Sequence, residues 1–287
     1  MVERGLGEQL KRLLRSNHSA PVVQFVDRRG HDQSISSAGL LRRAAGLETM
    51  IASDSEARHR PITITEVQGA EALVAVVTCI CASRVFHVRP LASVRTTHDG
   101  IVLTGPSVAR PHRRFPHEIS LASVADDDPS IFDEPTPASP ESRADDEFNA
   151  TAEVILRMHI DASSTVASFV GIDHELGLLA STLAPLLAGS RLIRADESFF
   201  LRNPQRWMRL LNEHDVTHAI FPLSALNRLV TEADIQPGPV SLTHVITDGT
   251  DGDDGDDGDD GQTQYLRQRA IRITDERPIG IVRLTGR

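Results

Sequence analysis

The chain has 287 residues, 40% of them hydrophobic, enough to bury a core of one large or two small domains. Its formal net charge of -10 lacks the cationic footprint that nucleic-acid binding needs. The amino terminus carries Glu3 and Glu8 and does not read as a secretory signal, and the longest apolar run, Ala72 to Ala82, is too short to cross a bilayer, so the expected location is cytoplasmic.

In chain order, Leu6 to Leu14 has helical periodicity, Val22 to Val26 reads as a strand and Arg28-Arg29-Gly30 as a turn. Leu40, Leu41, Ala44, Ala45, Leu47, Met50 and Ile51 form one stripe of a helix over Ser36 to Ile51. Pro61 to Thr65 is a short strand, Ala70 to Ala82 a buried helix and Val85 to Val88 another strand. Cys79 and Cys81 are the only cysteines, and a lone C-x-C without a second pair or histidine partners reads as packing rather than as a zinc site. Arg110, His112, Arg113 and Arg114, interleaved with Pro106, Pro111 and Pro116, read as a solvated loop.

Residues 125–147 break the pattern. Asp126 to Asp128, Asp133-Glu134, four prolines and Asp145 to Glu147 leave few apolar residues, which predicts a disordered acidic linker. The alternation then resumes. Val166 to Ile172 is a strand, Glu175 to Ala188 a helix capped by Gly189, and Arg191 to Ala195 a strand. Asn203-Pro204 opens a helix through Glu213, and Thr217 to Phe221, Ser224 to Glu232 and Leu242 to Thr247 read as strand, helix and strand. Successive right-handed βαβ units predict an α/β fold of layered parallel sheets with crossover helices. The expected division is 1–124, an N-terminal α/β subdomain; 125–147, the linker; 148–250, a second α/β subdomain; 251–262, an Asp/Gly loop; and 263–287, a strand-rich tail. The D-D-G tract from Asp251 to Gly261 has neither the spacing nor the closing Glu of an EF-hand and reads as a solvated expansion.

Two stretches resemble adenylate-forming enzymes, closest to the large domain of fatty acyl-AMP ligases. The first runs from "VVQFVDRRGHDQSISSAGLLRRAAGLETMIA" to "ITEVQGAEALVAVVTCICASRVFHVRP". The second contains "DHELGLL", "PLLAGSRLI" and "FLRNPQRWMRLLNEHDVTHAIFP" in the family's order and spacing. The resemblance implies attack of a carboxylate on the α-phosphate of ATP, chemistry that rests on positioning and charge neutralisation. It also implies that His174 and Gly177 line an acyl pocket, and that Asp248 and Gly249, in "HVITDG", lie near the nucleotide. Asp173 doubles as an N-cap for the following helix.

The departures from the family concern the phosphates. No Thr-x-Gly-Ser-Thr-Gly-like loop occurs, and acidic residues stand where it belongs. Lys11, the sole lysine, matches neither family lysine; an Arg is no interchangeable point cation. The region of the family's magnesium Glu and ribose Asp holds the D-D-G tract, and the sequence given leaves no room for the family's small C-terminal domain. The expectation is a degenerate, non-catalytic relative, with no catalytic or metal residues and no cofactor. Its partners would be an acyl group, a carrier protein or a homologous ligase in a lipid, polyketide or nonribosomal peptide pathway. The alternatives are an active ligase with a non-standard site for ATP and Mg²⁺, and a decaying remnant. His214, His218 and His244 show no H-x-x-x-H pairing, and Trp207 with Met208, Leu210 and Leu211 reads as a core stripe.

Overall fold

A computed structural model describes residues 6–16, 21–27, 29–54, 59–94, 100–105, 115–133, 144–231, 241–249 and 280–285. Arg28, the arginine-rich loop around Arg110 to Arg114, residues 134–143 of the expected linker and the D-D-G tract lie outside them. The chain forms two compact units, Met1–Val22 with Ser34–Ala150, and Val23–Gln33 with Thr151–Arg287. No helix among the described residues is long and apolar enough to cross a membrane.

The first unit is built on helices α1 (Leu6–Ser16), α2 (Ser37–Ser53) and α3 (Gly69–Cys81) and a parallel sheet. The sheet strands are β3 (Ile62–Thr65), β4 (Phe86–Val88), β5 (Ile101–Thr104) and β6 (Glu118–Ser120), in the order β4-β3-β5-β6. β5 and β6 have no counterpart in the sequence reading. β6, "EIS", is too short for an alternating pattern to register, and β5 lies beside the proline-rich loop that masks its run. α1, α2 and α3 lie where their long apolar stripes predict helices.

α2 starts where Ser36 Oγ accepts the Gly39 N–H at 3.1 Å, an N-cap that satisfies one orphan donor. α3 is apolar all round and buried from Ala72 to Cys81, and Thr78 Oγ1 donates to Val74 O at 2.8 Å. Glu48 and Arg84 tie α2 to the end of α3 through a paired contact, with Nε to Oε2 at 2.7 Å and both side chains 9% exposed. Such a pair is costly to break on one side only, since that leaves a buried charge alone. α1 fits against α3 so closely that a Cβ on Gly7 would meet Ile80 O at 2.4 Å.

The expectation of a disordered linker does not describe residues 125–133, which lie along α2. Asp127 N–H donates to Arg42 O at 3.1 Å, and Thr49 Oγ1 donates to Asp127 Oδ2 at 2.6 Å. Phe132 is buried, and Lys11, the lone lysine, donates to its carbonyl at 2.9 Å while also pairing with Glu8. Composition alone scored these aspartates as solvated; their partners sit far away in sequence on α1 and α2.

The second unit carries the larger sheet. Its strands are β1 (Pro21–Val26), β2 (Asp32–Ser36), β7 (Thr165–Ser168), β8 (Arg191–Ala195), β9 (His218–Ile220), β10 (His244–Gly249) and β11 (Gly280–Thr285). They lie in the order β11-β10-β9-β7-β8-β1-β2. The strand expected at Val22 to Val26 thus pairs with β8, Val23 opposite Leu192, and its sheet is the second unit's rather than that of the expected 1–124 subdomain. Helix α4 (Ala144–Met158) precedes β7; α5 (Ala184–Ala188) leads into β8; α6 (Glu197–Arg202) and α7 (Pro204–Glu213) connect β8 to β9; α8 (Leu223–Thr231) connects β9 to β10. Asn203 Oδ1 accepts the Gln205 N–H at 3.0 Å and Pro204 follows it, the helix start read from sequence.

Two measurements test the first unit. Gly46→Ala would drive a Cβ to 1.8 Å from Ala125 O. It should cost about 1–3 kcal/mol of stability, read as a lower urea midpoint, if residues 125–133 pack on α2; an unchanged midpoint would refute that packing. Burial pushes the Cys81 thiol up to about 12, and Cys79 is fully buried, so neither thiol should react with a thiol reagent at pH 8 until denaturant is added.

Candidate functional site at the carboxyl end of the larger sheet

Strand order places the site. From β7 the chain crosses to β8 on one side, and from β9 it proceeds to β10 on the other, so the order reverses between β7 and β9. In open α/β sheets ligands bind outside the carboxyl ends of the strands at such a switch point. Right-handed crossovers of opposite direction also put the β7–β8 helix and the α6–α8 helices on opposite faces. The register agrees. Ala167, Ile193 and Ala219 share one face and join the core of Trp207, Met208, Leu210, Leu211, Leu226 and Leu229. Ser168, Arg194 and Ile220 share the other face.

Beyond β7 the chain turns through Phe169 to His174. Phe169 stacks on Phe200 with centroids 4.5 Å apart and meets Trp207 edge-on at 5.1 Å, while Phe221, directly after β9, lies 6.3 Å away. This aromatic layer is buried core on the face that carries α6 to α8. Trp207, expected as a core residue, is fully buried within it.

The crossover helix begins with a π-helical segment, Leu176–Leu183, before α5. Pro185 explains the register. It has no N–H to give to the Ser181 carbonyl four residues earlier, and its ring crowds that carbonyl, so the turn widens. Ser181 Oγ and Thr182 Oγ1 both donate to Gly177 O, at 2.8 and 2.7 Å. Arg194, from β8, then fills the gap. Its Nη1 donates to Ser181 O, Ser181 Oγ and Thr182 Oγ1, each at 2.9 Å, and its Nη2 to Val170 O at 2.6 Å. Burial pulls the Arg194 pKa down to about 10, which still leaves it a cation at neutral pH.

His174 sits at the exposed rim of this turn, and its Nδ1 accepts the Leu176 N–H at 3.2 Å. That bond makes Nδ1 the acceptor and leaves the ring proton on Nε2. The cap expected from Asp173 is therefore supplied by His174, one residue later, and Asp173 is exposed. Gly177 is buried, and a Cβ there would fall 1.7 Å from Gly171 O. Its absence of a side chain lets the helix touch the β7 exit, so its observed part is close packing. Asp248 and Gly249 end β10, paired in register with Leu284 and Thr285 of β11. They share the carboxyl edge with His174 but belong to a strand two places away. Arg194 was missed in sequence. The available signal was an arginine at an alternate position of "RLIRA", on the face that its neighbours bury.

At the amino-terminal edge His218 and His244, dispersed in the sequence, meet each other and His159. His218 and His244 stack in parallel with centroids 4.8 Å apart, and His159 lies tilted 6.0 Å from His244. His218 Nε2 donates to Met158 O at 2.8 Å, and its Nδ1 lies 2.8 Å from Thr217 Oγ1. Among the described residues no three His, Cys, Asp or Glu side chains are placed to hold a metal ion.

No family model matches. The long-chain-fatty-acid–AMP ligase FadD26 of Mycobacterium marinum is 34% identical over 77 residues, 26% of this chain and 13% of that ligase. The crystal structure of fatty acid AMP ligase from Legionella pneumophila superposes with a TM-score of 0.74 at 14% identity, covering 94% of this chain and 52% of that one. McyG A-PCP, complexed with phenylalanyl-adenylate, superposes with a TM-score of 0.75 at 12% identity, covering 99% of this chain and 58% of that one. Over part of its length the chain is a relative of the adenylate-forming enzymes. Its fold is theirs, and it spans about half the length of the Legionella ligase, 52%.

The histidine stack generates a pH prediction. Burial lowers the pKa of His218 first, and His244 adds to it; burial and His159 lower that of His244. Histidines in the unfolded chain keep their ordinary value near ~6.5, so on acidification the unfolded state takes up protons first. The stabilisation is present above that value and is lost as pH falls through it. Melting temperature should drop between pH 7.5 and 5, and His218→Gln should flatten that drop; a flat wild-type profile would count against the stack.

Proposed function

We propose that this chain is a non-catalytic relative of the acyl-AMP ligases, keeping an acyl-binding crevice and lacking the means to handle ATP. The observation that carries the reading is a contrast. The β7 exit with His174 and Gly177, over the buried Phe169–Phe200 stack, is built to close tolerances. The 287 residues hold no glycine-rich loop to cradle phosphates, and an acidic stretch stands in its place. Asp and Glu there repel a triphosphate rather than neutralise it.

The donor set agrees. Magnesium in nucleotide sites takes carboxylate oxygens and phosphate oxygens; the described carboxyl-end side chains include the carboxylates of Asp173, Glu175 and Asp196 beside His174 and Arg194, but no three His, Cys, Asp or Glu among the described residues are placed to hold a metal ion. The reading uses neither ATP nor Mg²⁺ as cofactor. The nucleotide-side role expected for Asp248 and Gly249 has no support beyond their place at the strand end. His174 and Gly177 remain the acyl-side residues, His174 through its exposed ring and Gly177 through the close packing that shapes the turn. The partners that suit such a module are an acyl group, and beyond it a carrier protein or a homologous ligase, in the cytoplasm; the A-PCP neighbour supports the carrier option.

The test is a thermal-shift titration with ATP-Mg²⁺ and, in parallel, with a non-hydrolysable fatty acyl-adenylate mimic. The acyl mimic should stabilise the chain by about 2.7 kcal/mol at a hundredfold excess over Kd, His174→Ala should weaken that shift, and ATP-Mg²⁺ should give none. A saturable shift with ATP-Mg²⁺ together with pyrophosphate release would establish an active ligase and overturn the reading.

A further inference from the structure

A guanidinium has five N–H donors. The bonds of Arg194 to Ser181, Thr182 and Val170 account for Nη1 and one donor of Nη2. Nε and the second Nη2 donor have no partner among the described residues, and no Asp or Glu among them pairs with the side chain. All its acceptors are neutral carbonyl and hydroxyl oxygens. A desolvated charge is ordinarily paired, because leaving it alone costs several kcal/mol. As a whole residue Arg194 is partly covered, at the end of its strand. It lies on the last full rung of β8, opposite Ser168 of β7, at the strand ends where the switch point opens.

We propose that Arg194 forms an anion subsite at the carboxyl end of β8 that takes the carboxylate of an acyl ligand, with the chain's crevice holding its hydrocarbon part. The subsite rests on the acyl-binding reading and gives that ligand a charge. Nε and Nη2 lie along one edge of the planar guanidinium, with the spacing of two carboxylate oxygens. The bonds through Nη1 hold the plane still, so little side-chain entropy remains to be lost on binding. A free fatty acid is then held more tightly than the alcohol of the same length. A phosphate shares the oxyanion chemistry and forms the second arm of the test.

The experiment compares octanoate, octanol and inorganic phosphate on the purified chain by calorimetry. Wild-type protein should bind octanoate about tenfold or more tightly than octanol, the worth of one charge-assisted contact. Arg194→Gln, checked for folding by circular dichroism, should erase the preference. Arg194→Lys keeps the charge without the fork and should retain only part of it. The wild-type comparison stands even if a variant fails to fold. Equal binding of octanoate and octanol, or a preference that survives Arg194→Gln, overturns the subsite while leaving acyl binding intact. Arg194-dependent binding of phosphate without octanoate overturns the carboxylate assignment. Silence from all three ligands overturns the subsite and the acyl reading together.

Discussion

The bond from Arg194 to the Ser181 carbonyl governs the carboxyl end of the larger sheet. A proline inside the crossover helix deprives one carbonyl of its donor and pushes the turn into a wider register. A guanidinium from the neighbouring strand meets that carbonyl, and the same group reaches the chain just beyond β7 through Val170 O. Strand exit, helix and adjacent strand are thereby fixed to one another within a few ångströms. Gly177 completes the knot, because any side chain there would collide with Gly171 O and lift the helix off. The position of His174 follows: it sits between two backbones that cannot move independently, and its own Nδ1 closes the first turn.

The rest of the unit divides according to which face a residue occupies. One face of β7, β8 and β9 is apolar at Ala167, Ile193 and Ala219 and meets the aromatic and aliphatic side chains of α6, α7 and α8. The other carries Ser168 and Arg194 at one end and His218 at the other. Polar groups on a buried face need partners, and each finds backbone carbonyls or hydroxyls: His218 the Met158 carbonyl and Thr217, Arg194 the crossover helix. The same face therefore holds a cation at the carboxyl edge and a neutral imidazole stack at the amino edge. Lowered imidazole pKa values and a retained arginine charge are two answers to one desolvation penalty, set by the intrinsic basicity of each group.

Legibility in the sequence followed the range of the interactions. Helices with long apolar stripes, such as α2 and α7, and the Asn203-Pro204 start were readable because periodicity and capping act over a few residues. The parallel α/β architecture was readable from alternation alone. The three-residue β6 was not, since it carries too few positions to show a period. Nor was the attachment of residues 125–133 to α2, whose donors and acceptors lie about eighty positions apart along the chain. At the site, His174 was singled out through resemblance, and its capping bond emerged only from the turn geometry. Arg194 stayed hidden because one arginine in a strand reads as an edge residue until the crossover helix is placed over it.

A single fixed cation is a different instrument from a phosphate loop. A triphosphate carries several charges spread over a long group, and neutralising it takes a row of backbone donors, a metal ion and mobile lysines. Arg194 presents one charge, held rigid, with two donors along one edge, which matches a monoanion of carboxylate size and no more. The surrounding chain enforces the limit, since its net charge of -10 disfavours polyanions in general. Carboxylate recognition and adenylation thus separate in physical terms. The first needs a desolvated fork at the strand ends, which the β7–β8 exit provides. The second needs charge delivered to a transferring phosphoryl group, and the chain's one lysine, Lys11, is buried in the first unit against Phe132 O.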